Sequence, residues 1–247
     1  MRYPCIPYPG GKGRLAKTNV GFMPQSGNIY LEPFAGMGNV FWTAANVCIF
    51  KEWRLNDTLT IPFFHAVKTI GNTIEVIDRT KEEYYQLRDA ATTGDQRAIA
   101  LEPFYTFSGG GYKNGGPSFT TKRNVSAGTY QGRMRQCYEI LHHTNAVLTA
   151  VDWLELGLET LTADDFVYLD PPYKDCDVRA YANDTLDHEK MVSILKAAKF
   201  KWLLSEYAHP LYLNAWGEPA FKKEVQLSVK NQNHGRENRI ECLWKNY

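Results

Sequence analysis

Asp170-Pro171-Pro172-Tyr173 places a carboxylate, two residues without backbone N–H donors and a phenol ring side by side, directly after the apolar run Phe166-Val167-Tyr168-Leu169. Pro172 restricts Pro171 to an extended conformation, and neither proline can donate, so the carbonyls of this turn look outward for partners. Acceptors beside an aromatic face form a socket for a planar group that carries an amino donor. The exocyclic amine of adenine or cytosine fits: its N–H bonds would go to the Asp170 carboxylate and a proline carbonyl, with the ring stacked on Tyr173. An ordinary strand-to-loop turn whose tyrosine packs on the core is the competing reading of the same residues.

Three other stretches carry residue types suited to a ligand. Tyr8-Pro9-Gly10-Gly11-Lys12-Gly13-Arg14 is a turn in which glycines permit close backbone approach and Lys12 can reach a carboxylate or phosphate. Its spacing is not that of a Walker A loop, and a plain turn with a solvated lysine competes with the binding role. Asn28-Ile29-Tyr30-Leu31-Glu32 reads as a strand, followed by Pro33-Phe34-Ala35-Gly36-Met37-Gly38-Asn39 and an apolar helix. Phe41 stands where the dinucleotide fingerprint needs a third glycine, but two glycines before a helix N-terminus suit the close passage of a nucleoside. About twenty residues further on, the strand Trp53-Arg54-Leu55-Asn56 ends at Asp57, where nucleotide-binding α/β folds keep the acid that takes ribose hydroxyls. Asp57 can equally cap the helix that follows from Leu59 to Ile70.

The elements that must carry these residues alternate. Strands are expected near residues 28–32, 53–57, 146–151, 166–169 and 201–205, with helices between them and a hairpin formed by residues 221–229 and 240–244. That order implies a mostly parallel sheet, with the glycine loop after Leu31, Asp57 and the Asp170 segment at strands' C-terminal ends. At 247 residues the chain can bury a substantial core, and its 44% hydrophobic and 22% charged content exclude a disordered or fibrous protein. No apolar stretch approaches the roughly 20 residues of a membrane span, and no signal-peptide region opens the chain, so a cytoplasmic protein without membrane contact is expected. Cys5, Cys48, Cys137, Cys176 and Cys242 are odd in number and form no CxxC pair, and His142-His143 reads as a surface or helix-end pair. Neither a disulfide framework nor a metal site is implied.

Between Gly109 and Arg135 stand five cations and no acid, interleaved with Tyr112, Phe119 and Tyr130. Such a segment can track a phosphate backbone, with a salt slope of at most about −4.5 if every cation meets a phosphate. A solvated basic loop is the alternative.

Taken in order, Tyr8-Pro9-Gly10-Gly11-Lys12, Glu32-Pro33-Phe34-Ala35-Gly36-Met37-Gly38, Asn56-Asp57 and Asp170-Pro171-Pro172-Tyr173 resemble the motifs of Dam-type adenine-N6 DNA methyltransferases, with a weaker similarity reaching Arg239-Ile240-Glu241-Cys242-Leu243. The resemblance implies an α/β fold, a Rossmann-like S-adenosylmethionine-dependent methyltransferase with a small inserted target-recognition region made mainly of helix and loop. Residues 1–60 and 140–247 would form the catalytic domain and 61–139 the insert. Tyr8, Lys12, Phe34, Gly36, Asp57 and Asp170 would line the S-adenosylmethionine site, and Asp170, Pro171, Pro172 and Tyr173 would take the target adenine, flipped out of double-stranded DNA. Lys113, Lys122 and Arg123 are the expected DNA contacts; no obligate protein partner and no metal are implied. The GATC-methylating members carry lysine and tryptophan where Pro7 and Tyr8 stand, so the target sequence is not implied. Readings that stay open are an amino-methyltransferase acting on RNA or on cytosine N4, a small-molecule or protein-amide methyltransferase, and a non-catalytic nucleic-acid-binding relative.

Overall fold

Tyr30 and Leu31 are neighbours in the first strand and face opposite ways, and that alternation builds the molecule. Tyr30, Phe166, Tyr168, Leu203 and Leu243 belong to one buried cluster, while Leu31, Val167, Leu169, Trp202, Leu204, Cys242 and Trp244 belong to another. Strands buried on both faces need a helical layer on each side. The computed structural model describes residues 12–13, 15–77, 79–105, 126–174, 186–228 and 236–247.

Within these residues the chain runs α1 (Ala16–Gly21), β1 (Ser26–Glu32), α2 (Asn39–Ala44), β2 (Ile49–Asn56), α3 (Ile61–Ile70), α4 (Lys81–Thr92), α5 (Gln96–Tyr105), α6 (Ala127–Thr144), β3 (Val147–Thr149), β4 (Phe166–Leu169), α7 (His188–Ala197), β5 (Lys201–Tyr207), α8 (Pro210–Trp216), β6 (Phe221–Ser228) and β7 (Arg236–Lys245). The sheet order is β3-β2-β1-β4-β5-β7-β6. From β3 to β5 neighbouring strands are parallel, and β7 runs antiparallel to both β5 and β6. This is a Rossmann-like fold. The chain winds from β1 outward to β2 and β3, then returns to place β4 on β1's other side, pairing Tyr30 with Phe166 and Leu31 with Val167. A crevice opens at such a reversal, outside the C-terminal ends of β1 and β4.

Helices α1 to α6 cover one face, with Phe41, Trp42, Phe63, Phe64, Tyr84 and Tyr130 buried there beside Tyr30. The helices of the middle segment therefore share their core with β1 and β2. Helices α7 and α8 cover the other face through Met191, Leu195 and Tyr212. Among the described residues no helix is long and apolar enough to cross a membrane.

Several elements differ from the sequence-based expectation, among them β7, which begins at Arg236 rather than near Ile240. Helix α6 starts at Ala127 rather than near Gln131, because Ser126 caps it by accepting from Thr129 N–H, ahead of Gly128 and Gly132, which hide the helical pattern. Strand β2 begins at Ile49, four residues before Trp53, with Ile49 and Lys51 exposed. Helix α8 was not anticipated; it is short, carries Pro210 in its first turn and is capped by His209, whose ring accepts from Leu211 N–H at 3.1 Å.

Candidate active site

The loop after β1 is tied to the end of β2. Asn56 donates from Nδ2 to Pro33 O at 3.0 Å, and Ala35 N–H donates to Asn56 O at 2.9 Å. Gly36 N–H reaches Asp57 Oδ2 at 2.9 Å, while Asp57 Oδ1 accepts from Leu59 and Thr60 N–H, each at 2.9 Å. Asp57 thus closes the turn that leads into α3 and holds the glycine loop together, with one of its roughly four lone-pair directions left over. Gly36 and Gly38 adopt φ values of 50° and 69°, and a Cβ on Gly38 would lie 2.8 Å from Trp42 Nε1 and 2.9 Å from Phe64 Cζ. Only glycine passes between these rings. Phe34 leans on Trp153, ring centroids 5.8 Å apart, at the mouth of the same loop.

The second half of the site is a buried cluster of acids. Period-two alternation turns Glu32, Tyr168, Ser205 and Glu241 toward one face at the C-terminal edge of the parallel strands. Asp170 follows Tyr168 on the same side. Lys12 Nζ sits 2.8 Å from Asp170 Oδ1 and 3.5 Å from Glu241 Oε1, and 4.3 Å from the centroid of the Tyr173 ring. Tyr173 does not simply stand at the mouth of its turn: its hydroxyl points inward, donating to Glu241 Oε1 and lying 2.9 Å from Ser205 Oγ, and its ring meets Tyr207 edge-on at 4.6 Å. Ser205 Oγ also donates to Glu241 Oε1 at 2.8 Å. Asn19 Nδ2 donates to the Tyr168 hydroxyl at 2.7 Å, closing the network below.

Carboxyl groups outnumber cations around this pocket. Lys12 is the one lysine or arginine that is buried among the described residues, against buried Glu32, Glu206 and Glu241 and a partly buried Asp170. Burial raises Glu32 to about 8, despite the hydrogen bond from Tyr30. Burial raises Glu206 to about 8 as well, although Tyr207 and Lys174 N–H donate to it. Asp170 rises to about 6 because burial outweighs the neighbouring Lys12 ammonium. Burial works to lower Lys12, but Asp170 and Glu241 outweigh it and the net direction is upward. At neutral pH the cluster therefore holds Glu32 and Glu206 protonated, Asp170 largely ionised and Lys12 charged.

The family model of the D12 class N6 adenine-specific DNA methyltransferases matches residues 8–214. The chain belongs to this family. It is an adenine-specific DNA methyltransferase, and its reaction is methyl transfer to adenine N6 in DNA. Among solved structures, precorrin-6y C5,15-methyltransferase from Geobacter metallireducens GS-15 is similar at 10% identity over 94% of this chain and 86% of that one, with a TM-score of 0.38. Precorrin 8w decarboxylase from Methanobacterium thermoautotrophicum is similar at 10% identity over 100% and 96%, with a TM-score of 0.39. A search of the curated proteins returns no match.

Of the methyltransferase residues expected from the sequence, Lys12, Asp170 and Tyr173 meet in one cluster, with Pro171 and Pro172 between the last two. Gly36 and Asp57 are bonded to each other in the adjoining loop, with Phe34 at its edge. Tyr8, Lys113, Lys122 and Arg123 lie outside the described residues. Sequence reasoning assigned no role to Ser205, Glu206 and Glu241. Glu206 anchors the segment after Tyr173 from the sheet's other face by accepting from Lys174 N–H at 3.1 Å, and it in turn accepts from Tyr212 OH at 3.2 Å. A buried acid in an otherwise apolar strand was the available signal, in Leu203-Leu204-Ser205-Glu206-Tyr207 and again in Ile240-Glu241-Cys242-Leu243.

Proposed function

We propose that this methyltransferase takes its methyl group from S-adenosylmethionine and holds a flipped target adenine of double-stranded DNA in the Asp170–Tyr173 socket. One observation carries the reading. The Lys12 ammonium donates to Asp170 Oδ1 at 2.8 Å while lying 4.3 Å from the centre of the Tyr173 ring. An N–H donor bound by that carboxylate above that ring is the arrangement an exocyclic amine would make.

The pocket also suits a cofactor that brings positive charge, because two carboxylates, Asp170 and Glu241, face the one buried lysine. Lys12, Phe34, Gly36, Asp57 and Asp170, with Tyr8, are the residues proposed to hold it; bound there, S-adenosylmethionine supplies an activated methyl group. Asp170 accepts the N6 hydrogens and fixes the direction of the nitrogen lone pair, and Tyr173 fixes the plane of the base. The contribution is chiefly proximity and orientation. The ionised Asp170 carboxylate is also the nearest acceptor for the proton that N6 loses. Stacking on Tyr173, worth about 1–3 kcal/mol, offsets part of the few kcal/mol needed to flip the base.

Residues 61–139 are proposed as the target-recognition region, with Lys113, Lys122 and Arg123 on phosphates. Neutralising Lys122 and Arg123 together should weaken DNA binding and flatten the slope of log affinity against log salt by about 1.8. An unchanged slope removes them from the interface. The reaction itself is tested by incubating the protein with labelled S-adenosylmethionine and unmethylated genomic DNA, then identifying the modified nucleoside. N6-methyladenine at a fixed short sequence supports the reading. Label in RNA or protein and none in DNA contradicts it.

A further inference from the structure

We propose that Glu241 is a positioning residue for the target base: it is the second seat of the Lys12 ammonium, which must leave Asp170 when the adenine amine arrives. The inference rests on the socket reading given above and extends it. Lys12 occupies both places the adenine needs, the Asp170 oxygen and the face of the Tyr173 ring. Its relative exposure is 6%, so an ammonium that gives up Asp170 stays buried and is best received by another carboxylate, breaking a buried ion pair being costly. Glu241 Oε1 already lies 3.5 Å from Nζ. Swinging the ammonium across to Glu241, clear of Asp170 Oδ1 and of the Tyr173 ring, exchanges one charge-assisted hydrogen bond for another. Glu241 Oε1 already accepts from Tyr173 OH and from Ser205 Oγ, which fixes the ring and fills that oxygen's two lone pairs, so the displaced ammonium would take the carboxylate's second oxygen. Glu241 comes from β7, opposite Tyr207 in the antiparallel pairing with β5, and so reaches the Asp170 turn from two strands along the same face of the sheet.

A structural role for Glu241, merely steadying Tyr173, and the role proposed here separate in a double-mutant cycle. Glu241→Gln keeps an oxygen for the Tyr173 and Ser205 hydroxyls but removes the charge that receives Lys12. In the wild-type background it should lower kcat/KM for duplex methylation by about tenfold or more, the change residing mainly in KM for DNA. In a Lys12→Met background, where no ammonium has to be moved, the same substitution should change kcat/KM by less than about twofold. Glu241→Asp, which keeps the charge, should recover most of the loss. Equal losses from Glu241→Gln in both backgrounds, no loss in either, or a loss for Glu241→Asp as large as for Glu241→Gln would each overturn the proposal.

A second measurement needs no substitution that could disturb folding. In the intact enzyme with ¹⁵N-labelled lysine, the Lys12 ammonium should stay protected from water exchange when target duplex is added; exposure to fast exchange on target binding would overturn the second seat. Methylation by the unaltered enzyme is the control. If adenine N6 is not its product, the socket reading fails; if it is and the cycle is additive, only the role of Glu241 fails.

Discussion

Asp170 must be ionised to accept an amine, and burial lifts its carboxyl to about 6. The acidic limb of kcat/KM against pH should therefore fall near 6, activity being lost as the pH drops and a proton occupies the acceptor. A limb at the ordinary carboxylate value near 4 would mean that another group titrates. Asp170 and Tyr173 were legible in the sequence because they are contiguous, and two prolines after an apolar run mark the end of a buried strand. Glu241 was not. It lies 68 residues beyond Tyr173, and nothing local says that its carboxylate turns toward that hydroxyl. Asp57 was legible as a choice between helix cap and ligand group; its hydrogen bonds to Leu59, Thr60 and Gly36 close the turn ahead of α3 and leave room for one more donor.

At the scale of elements, the glycine loop between β1 and α2 is constrained by conformation and by packing together. Gly38→Ala would hold a side chain at φ 69° and drive Cβ against Trp42 and Phe64, which stack at 5.3 Å. We expect a loss of about 1–3 kcal/mol in a denaturant-unfolding midpoint; an unchanged midpoint would show that the rings can part freely. The parallel strands were legible because runs such as Phe166-Val167-Tyr168-Leu169 are buried on both faces. Helix α8 was not legible, since seven residues carry too little periodicity to register, and the start of α6 was masked by two glycines.

The whole molecule carries the consequence of burying acids at the crevice. Glu32 and Glu206 rise from the ordinary 4.5 to about 8, so between those values the folded state binds protons that the unfolded chain does not. Stability from these groups is fully present below about 4.5 and is lost as the pH rises through about 8. The thermal midpoint should fall from pH 6 to pH 9, and Glu206→Gln, neutral throughout, should flatten that fall; an equally steep fall in the variant would place the cause elsewhere. The proposal that residues 61–139 recognise the target sits on a folded framework whose helices α3 to α6 share the core of β1 and β2.

The central claim is that Asp170 holds the adenine amine for transfer, and single-turnover methylation of a duplex by wild type and Asp170→Ala tests it most directly. The fold should survive, because Lys12 retains Glu241 as a partner. The account predicts that, at saturating S-adenosylmethionine, N6-methyladenine formation falls by about 100-fold or more. Wild-type rates from Asp170→Ala would contradict it.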